Sequence, residues 1–216
     1  MPLIYHDTIT PDGELGLWRI TEPEDELAPA LDLSPEEEEQ LARMKGHRRI
    51  EWLAVRRLVH DMSGRFERMH FVKDKHGKPH LQHHDWHMSI SHSRTICAAI
   101  VSPLPVGIDI QQIVPKIERI AHKFMRPEEM ASLQPDTRLL HLHVYWGAKE
   151  ALYKAYGRRQ LDFREHIHIA PFAFAKNEGS FTGEVKKGLV HERYRLRYHL
   201  EGEDYVLVYG VLEDRG

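Results

Sequence analysis

Hydrophobic and polar residues alternate with a period of two in many short stretches of this chain. In residues 13–20 (GELGLWRI), alternate leucines face a glycine and a tryptophan, which predicts a β-strand. Similar runs predict strands in 69–74, 87–91, 95–101 and 105–111, and near 165–170, 180–186, 190–200 and 204–212. The intervening stretches, 75–85 (KHGKPHLQHHD) and 201–204 (EGED), are rich in turn-forming residues and predict turns.

Two longer stretches have the spacing of amphipathic helices. Ser34, followed by Pro35 and a run of glutamates, is a helix-start signal, and a broken apolar stripe continues to a stop at Gly64. Gly46 interrupts this stretch, which therefore predicts two helices. A second long helix is predicted over 136–156, where a glycine follows as the stop signal.

The order of the predicted elements indicates an α+β fold. A strand, helices and strands up to about residue 103 are followed by a strand, a short helix at 126–133, the long helix and strands again. The residues themselves do not repeat. The order is nevertheless compatible with two similar α/β halves packed together, residues 1–103 and 104–216.

Composition and charge narrow the class of protein. The 216 residues carry a formal net charge of −3, which gives no reason to expect nucleic acid as a partner. Six cations gather in residues 43–57, and such a cluster suggests a small polyanionic ligand. The single cysteine, Cys97, excludes an intramolecular disulfide and lies in an apolar run that predicts a buried thiol. Because there is neither a signal peptide nor a membrane-length apolar run, we expect a cytoplasmic protein with no membrane partner.

The strand at 105–111 (PVGIDIQ) carries the first candidate functional residue. A period of two places its aliphatic residues on a core face and Asp109 on the opposite face, beside Gly107, which would clear space around the carboxylate. Aspartate is depleted in strands, so Asp109 indicates either a solvated edge strand or a function. The functional interpretation is a hard cation such as Mg²⁺, whose shell is usually completed by phosphates.

The long helix carries a second set of candidates in 146–157 (WGAKEALYKAYG). Glu150 and Lys154 lie one turn apart at the border of its inner stripe of small residues, and Trp146 lies one turn earlier. As an exposed ion pair, Glu150 and Lys154 would contribute only about 0.2–0.5 kcal/mol. Together with Asp109 they would hold a metal-bound diphosphate, because carboxylates suit Mg²⁺ and an ammonium supplies the charge that phosphate needs.

Two further stretches could line such a site. In 87–93 (HMSISHS), His92 lies at the strand end and would donate to a phosphate or to the backbone; no nucleophile elbow supports the alternative of a Ser–His–acid hydrolase. Upstream, the turn HGKPHL would present Lys78 and bare backbone to a ligand. The histidines of 80–87 raise the alternative of a zinc site, but without a cysteine partner or a regular helix a solvated loop is favoured.

The motifs VGIDIQ, WGAKEALYK, SISHS and GKP, in this order and spacing, resemble the 4'-phosphopantetheinyl transferase superfamily. The length and two-half layout are similar to its larger, monomeric, surfactin-synthetase-activating type. The likeness covers residues 77–157 and extends through the basic segment to about residue 45. It implies two similar halves packed as a pseudo-dimer with coenzyme A in the cleft. It also implies Mg²⁺-dependent transfer of the 4'-phosphopantetheine group from coenzyme A to a serine of an apo acyl or peptidyl carrier protein.

The resemblance also implies a role for each matching residue. Asp109 and Glu150 would bind Mg²⁺, and Glu150 would be the base for the incoming serine hydroxyl. Lys154 would hold the diphosphate, and Lys149 would be a second cation near the site. Further contacts with coenzyme A would come, at the 3'-phosphate, from His92, Arg48 and Lys45, and, at the adenosine end, from Lys78, Pro79 and Ser91.

One position departs from the family pattern. The larger type commonly has a glutamate two residues after the strand aspartate, where this chain has Gln111. Gln111 can offer a carbonyl oxygen or hold a metal-bound water but brings no charge, so we expect a metal site with two carboxylates and more water. Two alternatives to an active transferase stay open. They are a homologue that binds coenzyme A or a nucleotide without transfer, and an unrelated Mg²⁺-dependent phosphohydrolase that uses the same two carboxylates.

Overall fold

The computed structural model describes residues 2–9, 12–65, 67–158 and 160–213. Its strands are β1 (Leu3–Ile9), β2 (Gly13–Arg19), β3 (Phe71–Lys73), β4 (Pro79–Leu81), β5 (His87–Ser93), β6 (Ile96–Ser102), β7 (Val106–Gln112), β8 (Ile167–Ile169), β9 (Glu178–Lys187), β10 (Val190–Glu201) and β11 (Tyr205–Leu212). Its helices are α1 (Glu24–Leu27), α2 (Pro35–Ala42), α3 (His47–Ser63), α4 (Ile117–Phe124), α5 (Pro127–Ala131) and α6 (Arg138–Tyr156).

The helix ends follow the local chemistry of the chain. Ser34 caps α2 in a capping box with Glu37, because each side chain accepts a hydrogen bond from the other residue's backbone N–H. Gly64, with φ of 59°, ends α3, and Gly157, with φ of 70°, ends α6. Both glycines adopt the left-handed conformation that a helix C-terminus commonly requires.

The first part of the chain builds a four-stranded antiparallel sheet in the order β1-β2-β6-β5. One face of this sheet is covered by α3, whose Leu58 shares a core with Trp18 and Cys97. The approach is close, since a Cβ at Gly16 would lie 2.5 Å from Met62 Sδ. Cys97 is fully buried, as its apolar surroundings predicted.

The second part builds a five-stranded antiparallel sheet in the order β7-β11-β10-β9-β8. One face of it packs on α6, where Ala148 and Leu152 share a core with Leu196 and Val208. The inner stripe predicted for this helix is therefore the surface that it buries. The first sheet ends at Ser102 and the second begins at Val106.

The remaining faces of the two sheets pack on each other. Leu17 and Ile100 of the first sheet share a core with Ile108 and Leu207 of the second. From one side to the other, the layers are α3, the first sheet, the second sheet and α6. This arrangement buries the aliphatic face that was predicted for β7.

Serine side chains join the two sheets where β5 meets β7. The hydroxyls of Ser89, Ser91 and Ser93 accept hydrogen bonds of 3.1–3.2 Å from alternate backbone N–H groups of β7. These N–H groups would otherwise be unpartnered on the edge of the second sheet, at a cost comparable to a lost hydrogen bond. These hydrogen bonds between β5 and β7 place Ser91 beside Asp109.

The α+β class predicted from the sequence is confirmed, and the predicted strands and long helices lie close to their expected bounds. The period-two pattern did not predict β1 or β4, and α4 was also missed. Residues 75–85 were predicted as turns, whereas β4 pairs with β3 in a two-stranded ribbon. Among the described residues, no helix is both long and apolar enough to cross a membrane.

Candidate active site

The long helix α6 crosses directly over β7. A Cβ at Gly107 would lie 1.8 Å from the carbonyl oxygen of Ala151, so this position admits only a glycine. Gly107 was expected to clear space around the Asp109 carboxylate; the structure shows that the helix backbone fills this space, which corrects that expectation. The contact holds the Asp109 face of β7 against the helix that carries Glu150, and only 7% of the surface of Asp109 is exposed.

The Asp109 carboxylate is held by hydrogen bonds on both oxygens. Oδ1 accepts from Lys154 Nζ at 2.8 Å and from Ser91 Oγ at 3.1 Å. Oδ2 accepts from Gln111 Nε2 at 3.2 Å. Lys154 Nζ also donates to Ile108 O and to Ser91 Oγ, both at 2.9 Å. The buried carboxylate is thus paired with a cation and hydrogen-bonded, as a charge in this environment must be.

Glu150 lies one turn before Lys154 on α6. Burial and the negative charge of Asp109 raise the pKa of the Glu150 carboxyl, and the charge of Lys154 offsets part of this rise. Within the described parts of the chain, no hydrogen bond or ion pair reaches the Glu150 carboxylate. The Glu150 carboxylate therefore lies close enough to Asp109 and Lys154 to be influenced by both charges.

The donor set at this position fits Mg²⁺. Asp109 and Glu150 supply carboxylate oxygens, the ligands that this ion prefers. Burial and the charge of Asp109 disfavour the ionised form of Glu150, and a divalent cation beside both carboxylates would favour it. Among the residues that the structure describes, no group of three His, Cys, Asp or Glu side chains could share an ion. The third position of the family pattern is the neutral Gln111.

Gln111 is the position where the sequence left the choice open between a carbonyl ligand, a metal-bound water and no role as a ligand. Its carbonyl Oε1 lies 2.8 Å from His143 Nδ1, and its amide Nε2 faces Asp109 Oδ2. The carbonyl oxygen is therefore turned towards α6, and the amide nitrogen is the end that faces the carboxylate.

A cleft of about 220 Å³ opens beside Lys154, between the turn that precedes β4 and the end of α6. Lys78, Pro79 and Ser89 line it from the first sheet's side, and Tyr153 from the helix. Lys78 Nζ donates to Ala155 O at 2.7 Å, where it complements the negative end of the helix dipole. The structure thus brings two of the expected adenosine-side residues, Lys78 and Pro79, next to Lys154.

The basic segment 43–57 separates into two groups. Arg43, Arg49, Arg56 and Arg57 form ion pairs with nearby carboxylates. Arg56 is the most buried of them and also stacks on Trp52. Four of the six cations in this segment are therefore paired with carboxylates of the first half.

Lys45 and Arg48 are the remaining cations of this segment, and both are exposed. No ion pair involves either of them in the described ranges. His92 is also exposed, and its Nδ1 lies 3.2 Å from Glu51 Oε2. Glu51 lies one turn after Arg48 on α3. The three residues expected at the 3'-phosphate are thus solvent-accessible at the start of α3 and the end of β5.

Two expected ligand contacts are structural instead. Lys149 is fully buried and donates to Glu129 Oε2 at 2.9 Å and to two backbone carbonyls, so it does not face the cleft. The Ser91 hydroxyl is buried among Asp109, Lys154 and the β7 backbone, so it positions these groups and does not line the adenosine end. Both placements correct the sequence-based expectation.

His143 is a residue of this site that the sequence analysis did not identify. The spacing of His141 and His143 on α6 gave no functional signal, because residues two apart do not share a helix face. The neutral Gln111 is the signal that could have indicated His143. An amide in place of a carboxylate needs hydrogen-bond partners, and a histidine side chain can supply one.

Two family models match the chain. The model of the 4'-phosphopantetheinyl transferase superfamily matches residues 105–209, and the model of the 4'-phosphopantetheinyl transferase N-terminal domain matches residues 36–102. The two matches adjoin at the point where the first sheet ends and the second begins.

Curated relatives carry the same name. A 4'-phosphopantetheinyl transferase of Bacillus subtilis is 34% identical over 142 residues, which is 63% of this chain and 60% of the relative. One from Bacillus pumilus is 34% identical over 112 residues, 48% of this chain and 47% of the relative. One from Aneurinibacillus migulanus is 32% identical over 115 residues, 52% of this chain and 46% of the relative. The chain thus spans about half to three fifths of the relatives' lengths. The resemblance stated from the motifs is confirmed: the chain belongs to the 4'-phosphopantetheinyl transferase superfamily, and the relatives support the surfactin-synthetase-activating type.

Proposed function

We propose that this protein transfers the 4'-phosphopantetheine group of coenzyme A to a serine of an apo acyl or peptidyl carrier protein, in a Mg²⁺-dependent reaction. The observation that carries the proposal is the cluster of Asp109, Glu150 and Lys154 beside the cleft between the turn that precedes β4 and the end of α6. The curated relatives are named for the same transfer.

Each residue of the cluster has a distinct task in the proposed reaction. Mg²⁺ held by Asp109 and Glu150 would neutralise the diphosphate of coenzyme A and stabilise the charge that develops during transfer. Lys154 supplies a further point charge for a diphosphate oxygen. Glu150 would also accept the proton of the serine hydroxyl, directly or through a water.

The remaining contacts of coenzyme A are assigned to the first half. The exposed Arg48, Lys45 and His92 would bind the 3'-phosphate, and Lys78 and Pro79 would contact the adenosine. These contacts lie away from the bond that breaks, and such remote binding energy can be used to position the reacting groups. We further propose that the protein acts as a monomer of two similar halves, divided near residue 103, that pack as a pseudo-dimer.

The transfer is tested by intact mass spectrometry of the carrier. The protein is incubated with Mg²⁺, coenzyme A and an apo carrier, using acyl and peptidyl carriers in parallel. We expect a mass gain of one phosphopantetheine group on the carrier serine, with adenosine 3',5'-bisphosphate as the second product. Asp109→Ala and Glu150→Gln abolish the gain, whereas Arg43→Gln, which removes an exposed ion pair with Glu39, leaves it unchanged.

One specific observation favours a second candidate, a coenzyme A-binding homologue without transfer activity. Gln111 replaces a charged position of the family pattern, so the site has one carboxylate fewer. Coenzyme A binding by calorimetry, with no modification of any carrier type, would select this candidate. Release of free phosphopantetheine without a modified carrier would instead indicate a phosphohydrolase.

A further inference from the structure

Gln111 and His143 form a closed hydrogen-bond network behind Asp109. His143 is 1% exposed, and its Nδ1 lies 2.8 Å from Gln111 Oε1. On the other side of the ring, Nε2 lies 3.0 Å from the backbone nitrogen and 3.1 Å from the carbonyl oxygen of Val114. The amide Nε2 of Gln111 donates to Asp109 Oδ2 at 3.2 Å and to His143 O at 3.1 Å.

The direction of the hydrogen bonds at the Gln111 amide follows from groups that can act in only one way. The Asp109 carboxylate and the His143 carbonyl can only accept, so the end of the amide that faces them is the nitrogen. The end that faces His143 Nδ1 is then the carbonyl oxygen, which can only accept, so Nδ1 donates to it.

Packing also confines the Gln111 amide. A Cβ at Gly147 of α6 would lie 3.0 Å from Gln111 Nε2 and 2.6 Å from Val208 Cγ2. The absent side chain at Gly147 thus leaves room for the amide beside the helix. The amide is fixed by partners on both ends and by α6 beside it.

We propose that His143 is a positioning residue: it fixes Gln111 with its amide nitrogen towards Asp109, so that Gln111 holds the carboxylate and is not itself a metal ligand. Gln111 then holds Oδ2 of Asp109 while Lys154 and Ser91 hold Oδ1, and the carboxylate keeps one orientation towards Glu150. The consequence for metal binding rests on the proposed function, whereas the hydrogen bond between His143 and Gln111, called the His143–Gln111 bridge below, does not.

The His143–Gln111 bridge is tested first on the protein alone. The measurement is the rate at which the side-chain amide protons of Gln111 exchange with solvent in ¹⁵N-labelled protein. A Gln111→Met variant assigns the resonances. We expect exchange at least about tenfold faster in His143→Phe and in His143→Leu, which remove both ring nitrogens. The matched control is His141→Phe, because His141 is equally buried on the same helix and has no hydrogen-bond partner among the described residues. Unchanged exchange in both His143 variants overturns the proposal.

The consequence for the site is tested by calorimetric titration of coenzyme A at increasing Mg²⁺ concentration. His143→Phe should raise the Mg²⁺ concentration for half-maximal binding by about tenfold, the usual lower bound for loss of a residue that orients a metal ligand. His143→Gln can make both hydrogen bonds and should restore the wild-type value, and His141→Phe should not change it. Equal Mg²⁺ dependence in wild type and His143→Phe refutes the positioning role. If the wild type itself shows no Mg²⁺ dependence, the proposed function fails, and the amide exchange still decides the bridge.

Discussion

Replacing Lys149 with methionine tests whether this lysine forms a structural ion pair or contacts coenzyme A. The Lys149 ammonium is fully buried and uses its three donors on Glu129 Oε2 at 2.9 Å, Phe163 O at 2.8 Å and Ile167 O at 2.9 Å. The three bonds tie α6 to α5 and to the segment that leads into β8. Methionine keeps most of the side-chain volume and removes all of the donors.

The expected loss of stability follows from what remains buried afterwards. Removing one partner of a buried ion pair typically costs about 3–5 kcal/mol, because the other charge is left uncompensated. Glu129 would keep two backbone donors, the N–H groups of Arg126 at 2.8 Å and Ile169 at 3.0 Å. We therefore expect the lower end, about 3 kcal/mol, in the free energy of unfolding. That is a large share of the stability of a typical domain.

The assay combines urea unfolding at pH 7 with coenzyme A titration under conditions where both proteins are folded. Lys149→Met should lower the unfolding free energy and leave the affinity for coenzyme A unchanged. Lys154→Met, five residues later on the same helix, is the matched comparison and should weaken coenzyme A binding. The double variant Glu129→Gln/Lys149→Met should regain part of the lost stability, since no charge then stays buried.

A loss of less than about 1 kcal/mol in Lys149→Met would contradict this account of the buried pair. Weakening of coenzyme A binding to the extent seen in Lys154→Met would equally refute it. In that case Lys149 would reach the ligand, as the family resemblance first implied.

Three further predictions concern neighbouring groups. Burial lowers the pKa of His141 to about 4, so the unfolded chain takes up this proton first as the pH falls below about 6.5. The fold should lose about 3 kcal/mol between pH 6.5 and pH 4 through this group, and His141→Phe should flatten that part of the curve of unfolding free energy against pH. An unaltered slope would contradict the assignment. Gly107→Ala should cost about 3 kcal/mol or more by urea unfolding, because its Cβ would meet the backbone oxygen of Ala151; a loss below about 1 kcal/mol would mean that α6 can move away. Ser91→Ala should lower the transfer rate as well as stability, whereas Ser93→Ala removes only a bond from the Gln112 N–H and should lower stability alone. Equal transfer rates in the two variants would show that Ser91 does not position Asp109.

The elements with a strong period could be predicted from the sequence. The small residues of α6 and the aliphatic residues of β7 are buried as their spacing indicated. β1 escaped prediction because its central residues are exposed and polar, which is usual for an edge strand with one unpaired side. α4 follows β7 after a short loop and carries charged residues at most of its exposed positions, so it gave no long apolar stripe.

The site was predictable in its residue types but not in all of its contacts. Asp109 was identified because the strand period placed it on the face opposite the core. Glu150 and Lys154 were identified because the helix period placed them at the border of the inner stripe. Lys149 has the same charge as Lys154, and only the fold shows that it meets Glu129, a residue 20 positions earlier. Contacts at such separations depend on how α5 and α6 pack, which a local pattern does not contain.

The position of the site follows from the way in which the two sheets are joined. β5 and β7 are edge strands of different sheets, and the serine hydroxyls of β5 satisfy the backbone N–H groups of β7. Ser91 accepts one of these bonds and also donates to Asp109, so the same hydroxyl joins the sheets and orients the carboxylate. Lys78 is a second link between the halves, because it lies in the first half and donates a hydrogen bond to the last turn of α6. A second half without the first would lose both contacts and expose the edge of β7, so the candidate site residues of the second half depend on the first half for their geometry.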